Sequence, residues 1–183
     1  MQELNPREWV DRYSDLLFRY ALLRINDREQ ARDLVQETFI AAWKGAPGFK
    51  GAASEKTWLL SILRNKIIDY YRKETRSPID RLIDDTSDER VFFDELGRWT
   101  PSSLPTEWSG HDVEKKEFYS VLERCKDKLH RIQSAVFSMK YLDDMDAPEI
   151  CKELRISSSY YWVLLHRAKL HLRACLEKNW FTS

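Results

Sequence analysis

Between Phe49 and Lys73 the chain reads FKGAASEKTWLLSILRNKIIDYYRK. At helical spacing Ser61, Asn65, Asp69, Arg72 and, further on, Arg76 fall on one face. They form a ridge of hydroxyl, amide, carboxylate and guanidinium groups that can donate, accept and pair charge with a polar partner. Lys50, Lys56 and Arg64 add cations, and Gly51, Ala52 and Ala53 leave the loop backbone open to close approach. A second such face lies near the other end, where Ser158, Ser159, Tyr160, Trp162 and Val163 lead a helix that also carries Arg167, Lys169 and Arg173. Enzyme chemistry is not legible. The chain shows no nucleophile with an adjoining base, no glycine-rich phosphate cradle and no HExxH, and Asp143 with Asp144 reads as loop solvation, so no catalytic residue is expected.

Helices must position these groups. Trp9, Tyr13, Leu16, Leu17, Tyr20 and Leu23 form a stripe that predicts a first helix ending near Ile25. Asn26 and Asp27 offer a cap for a second, with Gln30 giving a capping-box-like start, that runs to about Lys44 and is closed by GAPG. In it Leu34, Val35 and Thr38 face inward and Asp33, Gln36 and Glu37 outward; Phe39 and Trp43 are either outward with them or plain core. Ser54 caps a third helix reaching about Glu74, whose apolar face is Leu59, Leu63, Ile67 and Tyr70, widened by Leu60 and Tyr71. Three antiparallel helices bury those stripes together, and Trp58 is read as core.

From Ser77 the character changes to an acidic, Ser- and Pro-containing stretch with no sustained period, too long for an ordinary connection. Its Val91, Phe92, Phe93, Leu96, Trp99, Leu104 and Trp108 are unusual for a solvated tether, which suggests docking. Helical spacing resumes with Phe118, Val121, Leu122 and Cys125, then Leu129, Ile132, Val136 and Phe137. In DDMDAPEICKELRISSSYYWVLLHRAKLHLRACLEKNW, Asp146 caps a short helix with Pro148 in its first turn, lasting to about Leu154. Arg155 and Ile156 turn, Ser157 or Ser158 caps again, and a longer helix follows with Leu164, Leu165, Ala168, Leu172 and Cys175 inward. Short helix, tight turn and long basic helix describe a helix-turn-helix.

Composition sets the class. Of 183 residues 43% are apolar and 33% charged, as in a soluble globular protein, and no window approaches the roughly 18 apolar residues of a membrane span. The start, MQELNPREWVDRY, lacks a basic segment followed by an apolar one, so a cytoplasmic protein is expected. Net charge is zero, yet residues 1–76 carry 14 Lys/Arg against 11 Asp/Glu, residues 77–117 carry 5 against 11, and residues 118–183 carry 11 against 8. Two weakly basic ends around an acidic middle suit a polyanionic partner or ordinary solvated helices. Cys125, Cys151 and Cys175 are odd in number and widely spaced, so they are read as buried fillers without a disulfide framework. His130, His166 and His171 lie nearby, but no two ligand pairs stand at recognised spacings; no metal or cofactor is expected.

DLVQETFIAAWK followed by FKGAASEKTWLLSILRNKIIDYYRK, with HRIQSAVF and APEICKELRISSSYYWVLLHRAKLHLRACL further on, resembles the extracytoplasmic-function branch of the bacterial sigma-70 family, RNA polymerase sigma factors, over about four fifths of the chain. The resemblance implies an all-α protein of two small helical domains. These are an N-terminal three-to-four-helix bundle over residues 1–78 (region 2-like) and a C-terminal helix-turn-helix four-helix domain over 114–183 (region 4-like), joined by a long acidic aromatic linker over 79–113. It implies a non-enzymatic alternative sigma factor in the cytoplasm, without membrane insertion. Its partners are core RNA polymerase, through the beta-prime coiled coil and the beta flap, promoter DNA, and an anti-sigma factor.

Carried over by position, Asp33, Gln36, Glu37, Phe39 and Trp43 look like the surface for core polymerase. Lys50, Gly51, Ser54, Lys56, Arg64, Asn65, Asp69 and Arg72 match the part that opens the −10 element and holds one extruded base. The physical chemistry fits: stacking is worth roughly 1 to 3 kcal/mol per base and can offset the few kcal/mol of flipping. Ser158, Ser159, Tyr160, Trp162, Val163, Arg167 and Lys169 match the −35 reading helix, with Arg167, Lys169 and Arg173 along phosphates. Two features depart from the family. Arg155 stands where a glycine is usual, and Trp162 and Leu164 stand where polar or basic residues are. Trp162 either meets thymine methyls or packs on protein. The linker is either an RNA mimic in the exit path or a solubilising tether. The rival reading is a stand-alone helix-turn-helix regulator, which binds duplex DNA without polymerase.

Overall fold

The computed structural model describes residues 4–74, 101 and 115–181. Apart from residue 101, the linker readings over 79–113 lie outside the described residues, as does the continuation of the ridge to Arg76. Among the described residues every regular element is helical, and the chain divides into two compact units, Met1–Lys73 and Glu74–Ser183.

In the first unit a short 3-10 turn, Pro6–Glu8, leads into α1 (Trp9–Ile25), followed by α2 (Arg28–Gly45), a second 3-10 turn (Ala46–Gly48) and α3 (Glu55–Glu74). The two residues expected to cap α2 divide the task. Asn26 takes the left-handed conformation (φ 57°) and closes α1 with its N–H on Leu22 O at 2.9 Å, a role Asn tolerates well. The Asp27 carboxylate opens α2, accepting from the Glu29 and Gln30 N–H groups at 3.0 and 3.1 Å, worth about 1 kcal/mol.

The three helices run up, down and up, each antiparallel to the next, as the sequence predicts. Glu55 at the start of α3 bonds Trp9 at the start of α1, and the Tyr71 hydroxyl at the other end donates to Arg24 O at 2.5 Å. These contacts make α1 and α3 parallel, with α2 returning between them in sequence. Trp9, Leu17, Ala21, Ala31, Ala42, Leu59 and Leu63 are sealed inside. Each large side chain buried in this way contributes roughly 1.5 to 3 kcal/mol. Leu23 leaves the predicted stripe and is 42% exposed, because the buried face of α1 centres on Leu17, Ala21 and Arg24.

The second unit comprises α4 (Lys115–Lys126), α5 (Arg131–Tyr141), α6 (Ala147–Leu154), α7 (Ser158–Leu176) and a π turn, Glu177–Phe181. Helix α7 is the spine, packing against α4, α5 and α6. Between α4 and α7 lies a core of Val121, Cys125, Leu129, Ala168 and Leu172, with Leu122, Phe137, Cys175, Leu176 and Trp180 against it.

This core corrects the cysteine reading: Cys125 and Cys175 form a disulfide, their Cα atoms 5.6 Å apart across the α4–α7 interface. That separation lies within the range a disulfide requires, and it comes from helix packing that a spacing of 50 residues in sequence conceals. Cys151 alone is free, half-buried, and burial pushes its thiol pKa up despite an opposing backbone hydrogen bond. Among the described residues no group of three or more His, Cys, Asp or Glu stands close enough to hold a metal, and no helix is long and apolar enough to cross a membrane.

Candidate nucleic-acid interface

The first candidate face is built on α3 and the loop before it. Ser54 starts the helix as expected: its hydroxyl accepts from the Thr57 N–H at 3.2 Å and shares a hydrogen bond with Thr57 Oγ1 at 2.9 Å. With Leu59, Leu63, Ile67, Ile68 and Tyr71 buried, the helix presents Ser61, Asn65 and Asp69 outward, exposed, with half-buried Arg72 beside them and its guanidinium on Asp69 at 2.8 Å. Arg64 is half-buried at the flank. Lys50, Gly51, Ser54 and Lys56 are all exposed. Gly51 has φ +71°, a conformation that strains a residue with a Cβ, so glycine is the favoured residue in this turn.

Trp58 is half-buried and packed among aromatic rings. Its ring lies 4.8 Å from Phe49 and 5.8 Å from Trp9, centroid to centroid, which agrees with the core reading. The residue that the sequence reading passed over is its neighbour Glu55, 8% exposed. Its Oε1 accepts from the Asn5 N–H at 2.6 Å and Trp9 Nε1 at 3.0 Å, and its Oε2 from the Tyr13 hydroxyl at 3.2 Å, with Arg12 3.7 Å away. Burial alone pushes the Glu55 carboxyl up, but the donors and the Arg12 charge outweigh it and hold the pKa below the ordinary Glu value. The same burial, together with the negative charge on Glu55, raises the pKa of the Tyr13 hydroxyl. An acid opening a helix reads in sequence as dipole complementarity, which explains why it gave no signal.

The second face is on α2. Leu34, Val35 and Thr38 are buried and Asp33, Gln36 and Glu37 exposed, in line with the pattern. Trp43 is outward, 64% exposed, whereas Phe39 is only half-buried. The apolar partner of Trp43 on this ridge is Ile40, 56% exposed, at the i, i+3, i+4, i+7 spacing from Asp33 that the sequence reading did not follow far enough. Glu37 pairs with Lys66 of α3 at 2.8 Å, a partly exposed contact worth at most about 1 kcal/mol and hence easily exchanged.

The third face is the start of α7. Asp146 accepts from the Glu149 N–H at 2.8 Å, Pro148 sits in the first turn of α6, and Ser157 accepts from the Tyr160 N–H at 3.1 Å. The turn between α6 and α7 needs no glycine because Arg155 accepts the left-handed conformation (φ 57°, ψ 43°). The Ile156 N–H returns to Cys151 O and the Arg155 N–H to Lys152 O, the two bonds of a Schellman closure.

Ser158, Ser159 and Trp162 are exposed, Trp162 by 58%, while Tyr160 and Val163 are half-buried. Trp162 lies edge-on to the sealed Tyr161, centroids 5.0 Å apart. Burial raises the Tyr161 hydroxyl pKa. Arg167 departs from the expectation that it lies along phosphates: it is 6% exposed and turned into the unit. The 3.6-residue period instead gives the outward place to His166, between Trp162 and Lys169, both exposed; Lys169 lies over the Tyr141 ring at 5.7 Å.

The family profile for sigma-70 region 2 matches residues 9–77 and that for sigma-70 region 4 matches residues 119–172. A probable RNA polymerase sigma factor of Haemophilus influenzae is 38% identical over 162 residues, covering 87% of this chain and 84% of that one. The ECF RNA polymerase sigma factor SigX of Bacillus subtilis is 32% identical over 170 residues, covering 91% and 81%. A co-crystal structure of the sigma factor RpoE with the anti-sigma factor NepR from Bartonella quintana aligns over 94% of this chain and 97% of that one, at 17% identity and a TM-score of 0.46. The chain belongs to the sigma-70 family of bacterial RNA polymerase sigma factors, in its extracytoplasmic-function branch.

Proposed function

We infer that the protein is an alternative sigma factor that works on core RNA polymerase in the cytoplasm, with its first unit engaging the −10 element and its second the −35 element. The observation that carries this reading is the pair of matches, region 2 and region 4, in that order in one chain. A stand-alone regulator has no use for the first.

The faces described above distribute the work. The outward ridge of α2, with Asp33, Gln36 and Glu37 around Ile40 and Trp43, has the exposed apolar groups beside acids that favour a protein interface, and we assign it to the beta-prime coiled coil. The loop Lys50 to Ser54 with Lys56, Arg64, Asn65, Asp69 and Arg72 takes the non-template −10 strand. Its amide and hydroxyl groups address bases and its cations phosphates. Ser158, Ser159, Tyr160, Trp162 and Val163 enter the −35 major groove, with His166 and Lys169 following along the same face. The beta flap is assigned to the second unit. An anti-sigma factor finds exposed apolar groups on both units, Ile40 and Trp43 on one, Tyr141, Leu142 and Trp162 on the other.

The test is a gel shift at fixed salt with a promoter duplex, with and without core polymerase. A complex that forms only when core enzyme is added supports the reading. Tight sequence-specific binding by the protein alone contradicts it.

A further inference from the structure

The loop that presents Lys50, Gly51 and Ser54 is fastened on both flanks to the start of the chain. On the incoming side the Phe49 ring packs at a tilt against Trp58, and Trp58 meets Trp9 edge-on. The end of α2 lies close by, with Gly45 beside the Trp58 ring. On the outgoing side Glu55 directs both carboxylate oxygens into donors supplied by residues 5–13.

Starting α3 does not call for such an arrangement. Ser54 already caps the helix, and an acid in a first turn gains its dipole stabilisation while still exposed to water. Burying a carboxylate carries a desolvation penalty that only dedicated donors offset. Glu55 is the only acid among the buried residues described. It adjoins Ser54 in sequence, so fixing it fixes the end of the exposed loop.

We propose that Glu55 is a positioning residue for base selection at the −10 element: by clamping α3 to Asn5, Trp9 and Tyr13 it sets where Gly51 to Ser54 stand against the extruded base. The inference rests on the reading of this loop as the base-holding one. It makes the segment 5–13, remote in sequence from the loop, part of the specificity apparatus. A loop held in its bound geometry before DNA arrives loses little freedom on binding, and it can refuse a base that does not fit rather than adapt to it.

The experiment uses the full chain assembled with core polymerase. The probe is a labelled single-stranded oligonucleotide carrying the −10 sequence that the wild-type holoenzyme selects from a random library, together with its single-base variants; the readout is the ratio of affinities between them. Glu55→Gln keeps the shape but turns an amide towards the donors, and Trp9→Phe keeps a ring against Trp58 while deleting one N–H. Glu55→Gln is expected to lower the discrimination ratio about tenfold at the extruded base, as loss of one charge-assisted contact predicts, and Trp9→Phe to lower it less, with affinity for core enzyme unchanged.

A purely structural role gives a lower melting temperature and uniformly weaker binding with the ratio intact, and that result overturns the proposal. Gly51→Ala, which strains the loop itself, separates the two levels. If it changes the ratio while Glu55→Gln and Trp9→Phe do not, the positioning role fails and the loop reading stands. If none of the three changes it, the loop reading fails and the proposal with it. Should Glu55→Gln not fold, Trp9→Phe decides.

Discussion

Breaking the Cys125–Cys175 disulfide perturbs the second unit at a single covalent bond. The bond closes a loop of 50 residues that contains α5, α6 and nearly all of α7. Chain-entropy reasoning for a loop of that length gives about 4 kcal/mol of stabilisation. Against the roughly 5 to 15 kcal/mol that holds a whole domain folded, this is a large share. For a unit of this size each kcal/mol moves the midpoint by roughly 4 to 8 °C, so reduction is expected to lower its melting temperature by roughly 15 to 30 °C. Packing changes little on reduction, since Cys125 is 2% exposed and stays against Val121 and Leu172 as a small apolar group.

The assay is calorimetry of the full chain with and without a phosphine reductant, beside the double variant Cys125→Ala with Cys175→Ala. The wild-type transition of the second unit should fall on reduction, the variant's should not respond, and the first unit, which has no cysteine, serves as the internal control. Oxidised and reduced wild type melting within about 2 °C of each other refutes the loop argument, because that gap corresponds to well under 1 kcal/mol. Thiol labelling that finds Cys125 and Cys175 both free in unreduced protein refutes the pairing.

Four further outcomes follow from named contacts. Arg155→Gly removes a Cβ from a left-handed position and should stabilise the second unit by about 1 kcal/mol in thermal unfolding; an unchanged or lower midpoint contradicts the account of the turn. Because the folded Glu55 carboxyl is held below its ordinary pKa, its contribution is present at neutral pH and is lost as pH falls through the folded value. The stability gap between wild type and Glu55→Gln, about 1 to 3 kcal/mol at pH 7, should therefore shrink in acid, and a constant gap speaks against the clamp. Gln36→Ala with Glu37→Ala should weaken competition for core polymerase while costing at most about 1 kcal/mol of stability through the lost Lys66 pair; unchanged competition counts against the α2 assignment. Asn65→Ala should alter which −10 sequences work whereas Arg72→Ala should weaken promoter opening at all promoters alike, and an unaltered preference for Asn65→Ala removes that residue from base reading.

Most of the helical skeleton was legible because its signals are local. The caps at Asp27, Ser54, Asp146 and Ser157 and the apolar stripes of α2 and α3 depend on residues within a few turns of one another. The exposed ridge of Ser61, Asn65 and Asp69 followed from the same periodicity. What escaped depends on contacts across the fold. The Glu55 clamp joins residues some 46 positions apart, and the disulfide joins two cysteines that sequence spacing keeps separate. Arg167 turns inward and His166 outward because a basic residue near an apolar face is ambiguous by one position, and only the packing of α7 on its neighbours decides which of the two is buried. Ile40 was hidden by its aromatic neighbour Phe39.

The most direct test of the whole account is run-off transcription with core polymerase over a library of randomised promoters. With this protein added, transcripts should begin downstream of a shared pair of elements, a −35 and a −10 sequence at a fixed separation, and core enzyme alone should give none. Transcription that stays at the core-only level, or that needs one element without the other, contradicts it.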